Sequence, residues 1–436
     1  MADAVTDTRR AAFDTLSRIR DGDLADRALA RSAEGLDSRD HAWLLELVYG
    51  TLRLRGRLDF VLASFVRSGL DSLDPPVLDV LRLGAYQILE MGSVPAYAAV
   101  SQSVELVRDA GAGRAAGLVN GVLQSVRRGA ASVEFPPFES DPVGHLVSWG
   151  SHPRWLVERW VSRWDPAEAR RLVELNNERP ALYLRPVGVS TEQALASLGR
   201  GDIEAEPVAG FPDSVRVLGS GTPLEALAAV PAVVQDPAAA MVVRYAEVLD
   251  GATVLDMAAA PGGKSTGLTD RAGYVVAADL SIGRLRRVRA NVTRAGVSDR
   301  VGLVVADGRA PPFAGVDAVL LDAPCTGTGT LRRHPDGRWR ISEDDLLALA
   351  VLQRDLLESA ATVVRPGGHL VYATCSIEPE ENEEQIAGFL SRHPEYDIAA
   401  PDAPLDGTMV RDGLLSLLPQ RHGVDGAFAA RMVRKA

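Results

Sequence analysis

At 436 residues, 46% hydrophobic and 24% charged, the chain has a soluble globular composition and enough length for two to three domains with their own cores. Its start, MADAVTDTRRAAF, carries no apolar signal segment, and no later stretch reaches the roughly 18 apolar residues of a membrane span, so a cytoplasmic location is expected. A net charge of −11 argues against a uniformly basic nucleic-acid binder, and two cysteines far apart make neither a disulfide framework nor a zinc spacing, so no metal is expected.

From Arg9 to about Arg128 apolar residues recur at three- and four-residue spacings, as in PPVLDVLRLGAYQILEMG and GRAAGLVNGVLQSVRRG. Asp74 before Pro75 and Pro76 predicts a helix start, and Gly92 and Gly111 predict stops. An all-helical domain over residues 1–135 is expected, followed by a linker in GAASVEFPPFESDP. Over 145–237, strand-like runs (ALYLRPV, SVRVLG) alternate with helical ones (STEQALASLG, PLEALAAV), which predicts a small α+β module. From 238 to 436 the order becomes strongly strand–helix–strand, which predicts a mostly parallel sheet covered on both faces, with ligands bound beyond the carboxyl ends of its strands. Three stretches, LRLRGRLDF, RLRRVRANVTRAG and LRRHPDGRWR, depart locally from the acidic average; each reads either as a positive face or as solvated arginines.

The segment VLDMAAAPGGKS, Val254 to Ser265, reads as a strand, a glycine-rich turn and a helix start. Its turn, Ala258, Ala259, Ala260, Pro261, Gly262, Gly263 and Lys264, lets backbone N–H groups approach a ligand. A phosphate-binding loop of an NTPase is one reading, although Ala258 stands where its first glycine belongs. The other is a nucleoside cofactor held by its ribose. Asp279 closes the next strand 23 residues beyond Asp256, the place of a ribose-binding carboxylate, and Asp307 closes the third strand, within reach of an adenine amino group. Clustered carboxylates repel a triphosphate and suit the positive sulfonium of S-adenosylmethionine.

The two cysteines both stand just past an apolar run, Cys325 in DAPCTGTG and Cys375 in GHLVYATCS. With DMAAAPGGKS, RRHPD and YATCSIEPEEN, these segments resemble the RNA cytosine-C5 methyltransferases. The helical N-terminus resembles the NusB-like RNA-binding domains, and the whole arrangement is similar to the RsmB-type 16S rRNA enzymes. The resemblance implies an α/β fold: a seven-stranded class I, Rossmann-like methyltransferase sheet with an all-α NusB-like domain and a small α+β module before it. It implies Cys375 as nucleophile, Cys325 in product release, Asp322 on the target base and Lys264 on the base or its phosphate. The loop 258–264 with Asp279, Asp307 and Asp322 would bind S-adenosylmethionine. The implied partner is 16S rRNA or the assembling small subunit, with Arg127, Arg128 and LRLRGR as helical-domain contacts, and a monomer is expected. A binding protein that has lost activity is the non-enzymatic alternative; the presence of both thiols speaks against it. The family often has cysteine at the position of Ala258, which is not a catalytic place. Glu378, Glu381 and Glu383 beside Cys375 would oppose thiolate formation, so they are expected to face water, with a helix starting near Pro379.

Overall fold

The computed structural model describes residues 5–219, 222–402 and 405–436, in two compact units. One runs up to Glu178 and also contains Leu331–Arg340; the other contains Arg179–Thr330 and Ile341–Ala436.

The first unit is helical. Its helices Asp7–Arg20, Ala25–Ser32, Ser38–Arg53, Arg55–Ala63, Pro75–Leu89, Ala96–Asp109 and Ala116–Gly129 turn their apolar stripes to one core that includes Leu47, Leu62, Leu81 and Leu123. The helix starting at Pro75 has Asp74 before it, and Gly111, at φ +77°, follows the helix that ends at Asp109, both as the sequence predicts. Gly50 has a packing reason: a Cβ there would lie 2.0 Å from the Tyr86 ring, whose hydroxyl donates to Glu46 Oε1 at 2.6 Å. The helices Pro142–Ser148, Arg154–Arg163 and Pro166–Asn176 complete the unit, together with the excursion Leu331–Arg340. That excursion is pinned by Arg338. Its buried guanidinium donates to the carbonyls of Ser151 (3.1 Å), Asn176 (3.0 Å) and Leu331 (3.2 Å) and to Asn177 Oδ1 (2.8 Å). Burial, with Arg53 nearby, lowers its pKa to about 9.

The second unit holds two sheets. In the smaller one, β1 (Leu182–Pro186), β2 (Ala205–Val208), β3 (Phe211–Val217) and β4 (Ala232–Val234) pair antiparallel in the order β2-β3-β1-β4. Two helices with reciprocal caps at Ser190 and Thr222 accompany it. The larger sheet contains β5 (Thr253–Met257), β6 (Tyr274–Asp279), β7 (Val301–Val305), β8 (Val316–Asp322) and β9 (Val364–Thr374), all parallel. The C-terminal β10 (Tyr396–Ile398), β11 (Val410–Arg411), β12 (Leu414–Leu417) and β13 (Ala427–Arg434) extend it antiparallel, giving the order β11-β12-β13-β9-β8-β5-β6-β7 with β10 paired to β13.

Among the described residues the sheet has nine strands rather than the expected seven; β10 and β11 are short edge additions of three and two residues. Alternate residues of the central strands feed two cores. Val254, Leu320 and Val371 face one side with the helix Pro237–Ala246, while Leu255, Leu321 and Tyr372 face the other with the helix Glu343–Val363. No helix among the described residues is long and apolar enough to cross a membrane.

Candidate active site

Because β8 and β9 are parallel neighbours, with Asp322 beside Ala373, the segments that leave them start side by side. Cys325 lies three residues past the end of β8 and Cys375 one past the end of β9, and their sulfurs stand 3.4 Å apart. Hydrogen bonds join the two segments. Gly329 N–H donates to Cys375 O (3.0 Å), Ile377 N–H to Thr328 Oγ1 (3.1 Å), and Gly426 N–H to Gly329 O (2.8 Å). Gly329 is required by this closeness: a Cβ there would sit 2.6 Å from Cys375 O and 2.7 Å from Gly426 Cα.

Glu381 forms the second tie. Fully buried, it accepts from Thr326 N–H (2.9 Å), Thr326 Oγ1 (2.5 Å) and Gln353 Nε2 (2.9 Å), and its own carbonyl accepts from the Tyr372 hydroxyl (2.7 Å). Asn382 braces the Cys375 segment itself, accepting from Thr374 Oγ1 (2.6 Å) and donating to Ser376 O (2.9 Å). The expectation that the glutamates face water is therefore corrected. Glu378 and Glu381 are buried, a 3-10 turn spans Pro379–Glu381, and the α-helix starts only at Glu383. The polar composition of EPEEN suggested solvent, but the Thr326 and Gln353 donors that recruit Glu381 lie 55 and 28 residues away.

The remaining predicted residues fall into two groups. Lys264 Nζ donates to Asp322 Oδ2 at 2.7 Å, and both side chains are largely buried. Burial lowers the Lys264 pKa, but Asp322 and the adjacent Cys375 sulfur outweigh it and the net direction is up. Asp279 and Asp307 instead line a cavity of about 350 Å³ at the ends of β5, β6 and β8, with Met257, Ala258, Phe313, Leu352 and Pro324 among its walls. Of the loop 258–264, only Ala258, at φ +61°, lines it; Gly262, at φ +97°, lets the turn pass within contact of Val288.

Asp279 Oδ1 accepts from Ser281 N–H (2.8 Å) and pairs with Arg284 (3.0 Å), while its buried Oδ2 has no hydrogen-bond partner. A mostly apolar cavity with one orphaned carboxylate oxygen fits a nucleoside whose ribose donates to it. Both Asp307 oxygens are engaged by Arg309, whose Nη2 lies 2.8 Å from Oδ2, so an adenine contact there competes with that pair. Arg284 and Arg309 were not anticipated from sequence, because their pairing depends on loop conformation. Among the described residues no cluster of His, Cys, Asp and Glu could hold a metal.

Comparison with known proteins places this geometry. The family described as 16S rRNA methyltransferase RsmB/F matches residues 245–433, the NusB family residues 6–128, and the ferredoxin-like domain of RsmF/B-like methyltransferases residues 152–223. The Ribosomal RNA small subunit methyltransferase B of Klebsiella pneumoniae subsp. pneumoniae is 35% identical over 92% of this chain and 91% of its own. The chain belongs to the RsmB/F family. A methyltransferase-named protein of Mycobacterium tuberculosis, MT1451, is 37% identical over 98% of this chain and 96% of its own. The crystal structure of PH0851 superposes with a TM-score of 0.80 at 26% identity, covering 99% of this chain and 100% of that one. RsmB/F enzymes are S-adenosylmethionine-dependent rRNA methyltransferases, and the helical, ferredoxin-like and Rossmann-like parts seen here are theirs.

In this RsmB/F chain the surroundings of Cys325 favour its protonated form. The hydrogen bond with Cys375, burial, and the nearby Cys375 and Glu381 charges hold the Cys325 pKa well above the usual thiol range.

Behind the site, burial pushes Asp256 up to about 7, against a 2.5 Å bond from Ser265 Oγ to its Oδ2 and with Asp322 nearby reinforcing the rise; its Oδ1 has no hydrogen-bond partner. A carboxyl raised on folding costs stability as pH climbs from its unfolded value near 4 to about 7, after which the cost is constant. Asp256→Asn, which keeps an oxygen for Ser265, is expected to leave stability unchanged near pH 4 and to raise it at pH 8 by up to about 4 kcal/mol. Urea unfolding at the two pH values checks this; an equal effect at both would refute it.

Proposed function

We propose that this chain methylates C5 of a cytosine in 16S rRNA through a covalent bond between Cys375 and C6 of the base. The observation that carries the reading is the pair of thiols 3.4 Å apart at the ends of adjacent strands, beside the Lys264–Asp322 pair. C5 of cytosine is too weak a nucleophile to take a methyl group directly. Addition of the Cys375 thiolate to C6, with a proton taken up at N3 from solvent and the resulting N3–H donated to the Asp322 carboxylate, turns the C4–C5–C6 unit into an enamine. S-adenosylmethionine, when bound, supplies the electrophilic methyl group. Loss of the C5 proton to a base then lets the C6–S bond break, and the electron pair returns to the Cys375 sulfur. Cys325, the protonated neighbour, assists that release. Lys264 holds Asp322 in place and contributes positive charge near the Cys375 sulfur.

The same proposal assigns the nucleoside half of the cofactor to the cavity beside Ala258, Asp279 and Asp307. It divides the chain into a helical part over 1–135 and a small module over 145–237, both for RNA, and a catalytic part over 238–436. The substrate is 16S rRNA, free or in the assembling subunit, and the enzyme works as a monomer. Nucleoside mass spectrometry of 16S rRNA from cells with and without this chain tests the central claim. 5-Methylcytosine at one position should disappear with the chain, whereas loss of a ribose or exocyclic methyl group would overturn the reading.

The cofactor assignment has its own test. If the orphaned Oδ2 of Asp279 and its partner oxygen take the ribose hydroxyls, Asp279→Ala should weaken S-adenosylmethionine binding by roughly 1.5 to 3 kcal/mol per lost bond. Calorimetry giving wild-type affinity would remove Asp279 from the site.

A further inference from the structure

The arginine-rich helix Ile282–Arg294 has no part in the chemistry above, yet its charges are left open in a way that others are not. Arg286, Arg287 and Arg289 are exposed and make no hydrogen bond or ion pair. Among the described residues of the second unit, every other arginine engages a partner.

Helical geometry sets Ile282, Arg286 and Arg289 on one face, with the two guanidinium stems rooted roughly 5–6 Å apart. That face borders β7, the edge strand of the large sheet, and between them runs a groove of about 310 Å³. Its floor is apolar and open: Ile282 is 65% and Val305 53% exposed, and Leu303 also lines it. Ile282 and the edge-strand residue Val305 are thus left in water next to helix arginines that have no partner.

We infer that the groove between this helix and β7 is a second RNA-contacting surface of the enzyme, in which Arg286 and Arg289 on its rim, with Arg287 on the adjoining face of the same helix, neutralise phosphates of the rRNA strand and the Ile282–Val305 floor receives base faces. The occupant follows from charge. The chain carries −11 overall, so a polyanionic substrate needs local positive sites to approach it, and this helix presents three arginines whose side chains engage no other group. The inference rests on the rRNA substrate of the RsmB/F family and holds whichever atom of the base is methylated.

The test uses the full chain carrying Arg286→Gln, Arg287→Gln and Arg289→Gln together, with a fragment of 16S rRNA that the wild-type enzyme methylates. Three lost phosphate contacts should make the slope of log affinity against log salt shallower by about 2 to 3, which is roughly a hundredfold weaker binding at 0.1 M salt. S-adenosylmethionine affinity by calorimetry should be unchanged, which shows that the fold is intact. A comparison variant removes three paired arginines of the same unit, Arg216→Gln, Arg244→Gln and Arg271→Gln, for the same loss of charge. It should keep the wild-type slope. An unchanged slope in the first variant, as expected if the groove instead takes an acidic protein, would overturn the inference. So would an equal change in both variants, because the effect would then be one of net charge. Failure of the wild-type enzyme to bind or methylate rRNA would instead count against the substrate.

Discussion

Cys375→Ala is expected to abolish both methyl transfer and any covalent RNA adduct, because without the C6–S bond C5 never becomes nucleophilic. Cys325→Ala should behave differently. Its sulfur lies 3.4 Å from the one proposed to leave, and its surroundings raise its pKa well above the usual thiol range. Without it, addition and one methyl transfer should still occur while release slows, so a protein–RNA complex accumulates. Denaturing gel electrophoresis after incubation with RNA and S-adenosylmethionine reads this as a retarded band, present for Cys325→Ala and absent for Cys375→Ala and for the double variant. A trapped adduct with Cys375→Ala and none with Cys325→Ala would exchange the two roles and leave the two-thiol chemistry standing.

What could be read in advance depended on whether the determining contacts were local. The strands β5, β6, β8 and β9 announce themselves as short apolar runs because both faces are buried, and the helices of the first unit do so through their spacing. Asp279 was placed by its position at a strand end, which local sequence dictates, and it does line the cavity. Asp307 was placed by the same rule and also lines it, but its pairing with Arg309 could not be foreseen. The edge strands β10 and β11 are too short to carry a period, and β2 and β4 are likewise only four and three residues long. In the sequence Arg338 is one of several arginines in a basic stretch. Nothing in LRRHPDGRWR indicates that one arginine is buried among carbonyls supplied from residues 151 and 176.

Glu381 shows most sharply what local reading misses, and its replacement has the second large expected effect. Glu381→Ala would leave Thr326 N–H, the Thr326 hydroxyl and Gln353 Nε2 without their buried acceptor. Each deserted donor costs about 1 to 3 kcal/mol, although Gln353 retains Pro324 O at 2.9 Å and Thr326 Oγ1 retains Ser376 Oγ at 3.3 Å. A loss of about 3 to 5 kcal/mol is therefore expected, a large share of a domain's usual 5–15 kcal/mol. Activity should fall with it as the two cysteine-bearing segments lose their tie. Glu381→Gln separates charge from position. The amide oxygen can accept from Thr326 N–H and Gln353, and the amide nitrogen can donate to Thr326 Oγ1, so the tie and most of the stability should survive. Burial already raises the Glu381 pKa, and its charge is one of the causes that raise Cys325. Removing that charge should lower the Cys325 pKa and speed its alkylation by iodoacetamide at pH 8, read at Cys325 by peptide mass spectrometry against urea unfolding of the same protein. If Glu381→Gln destabilises as much as Glu381→Ala and leaves Cys325 alkylation at the wild-type rate, Glu381 is only a structural brace and has no hold on the thiol.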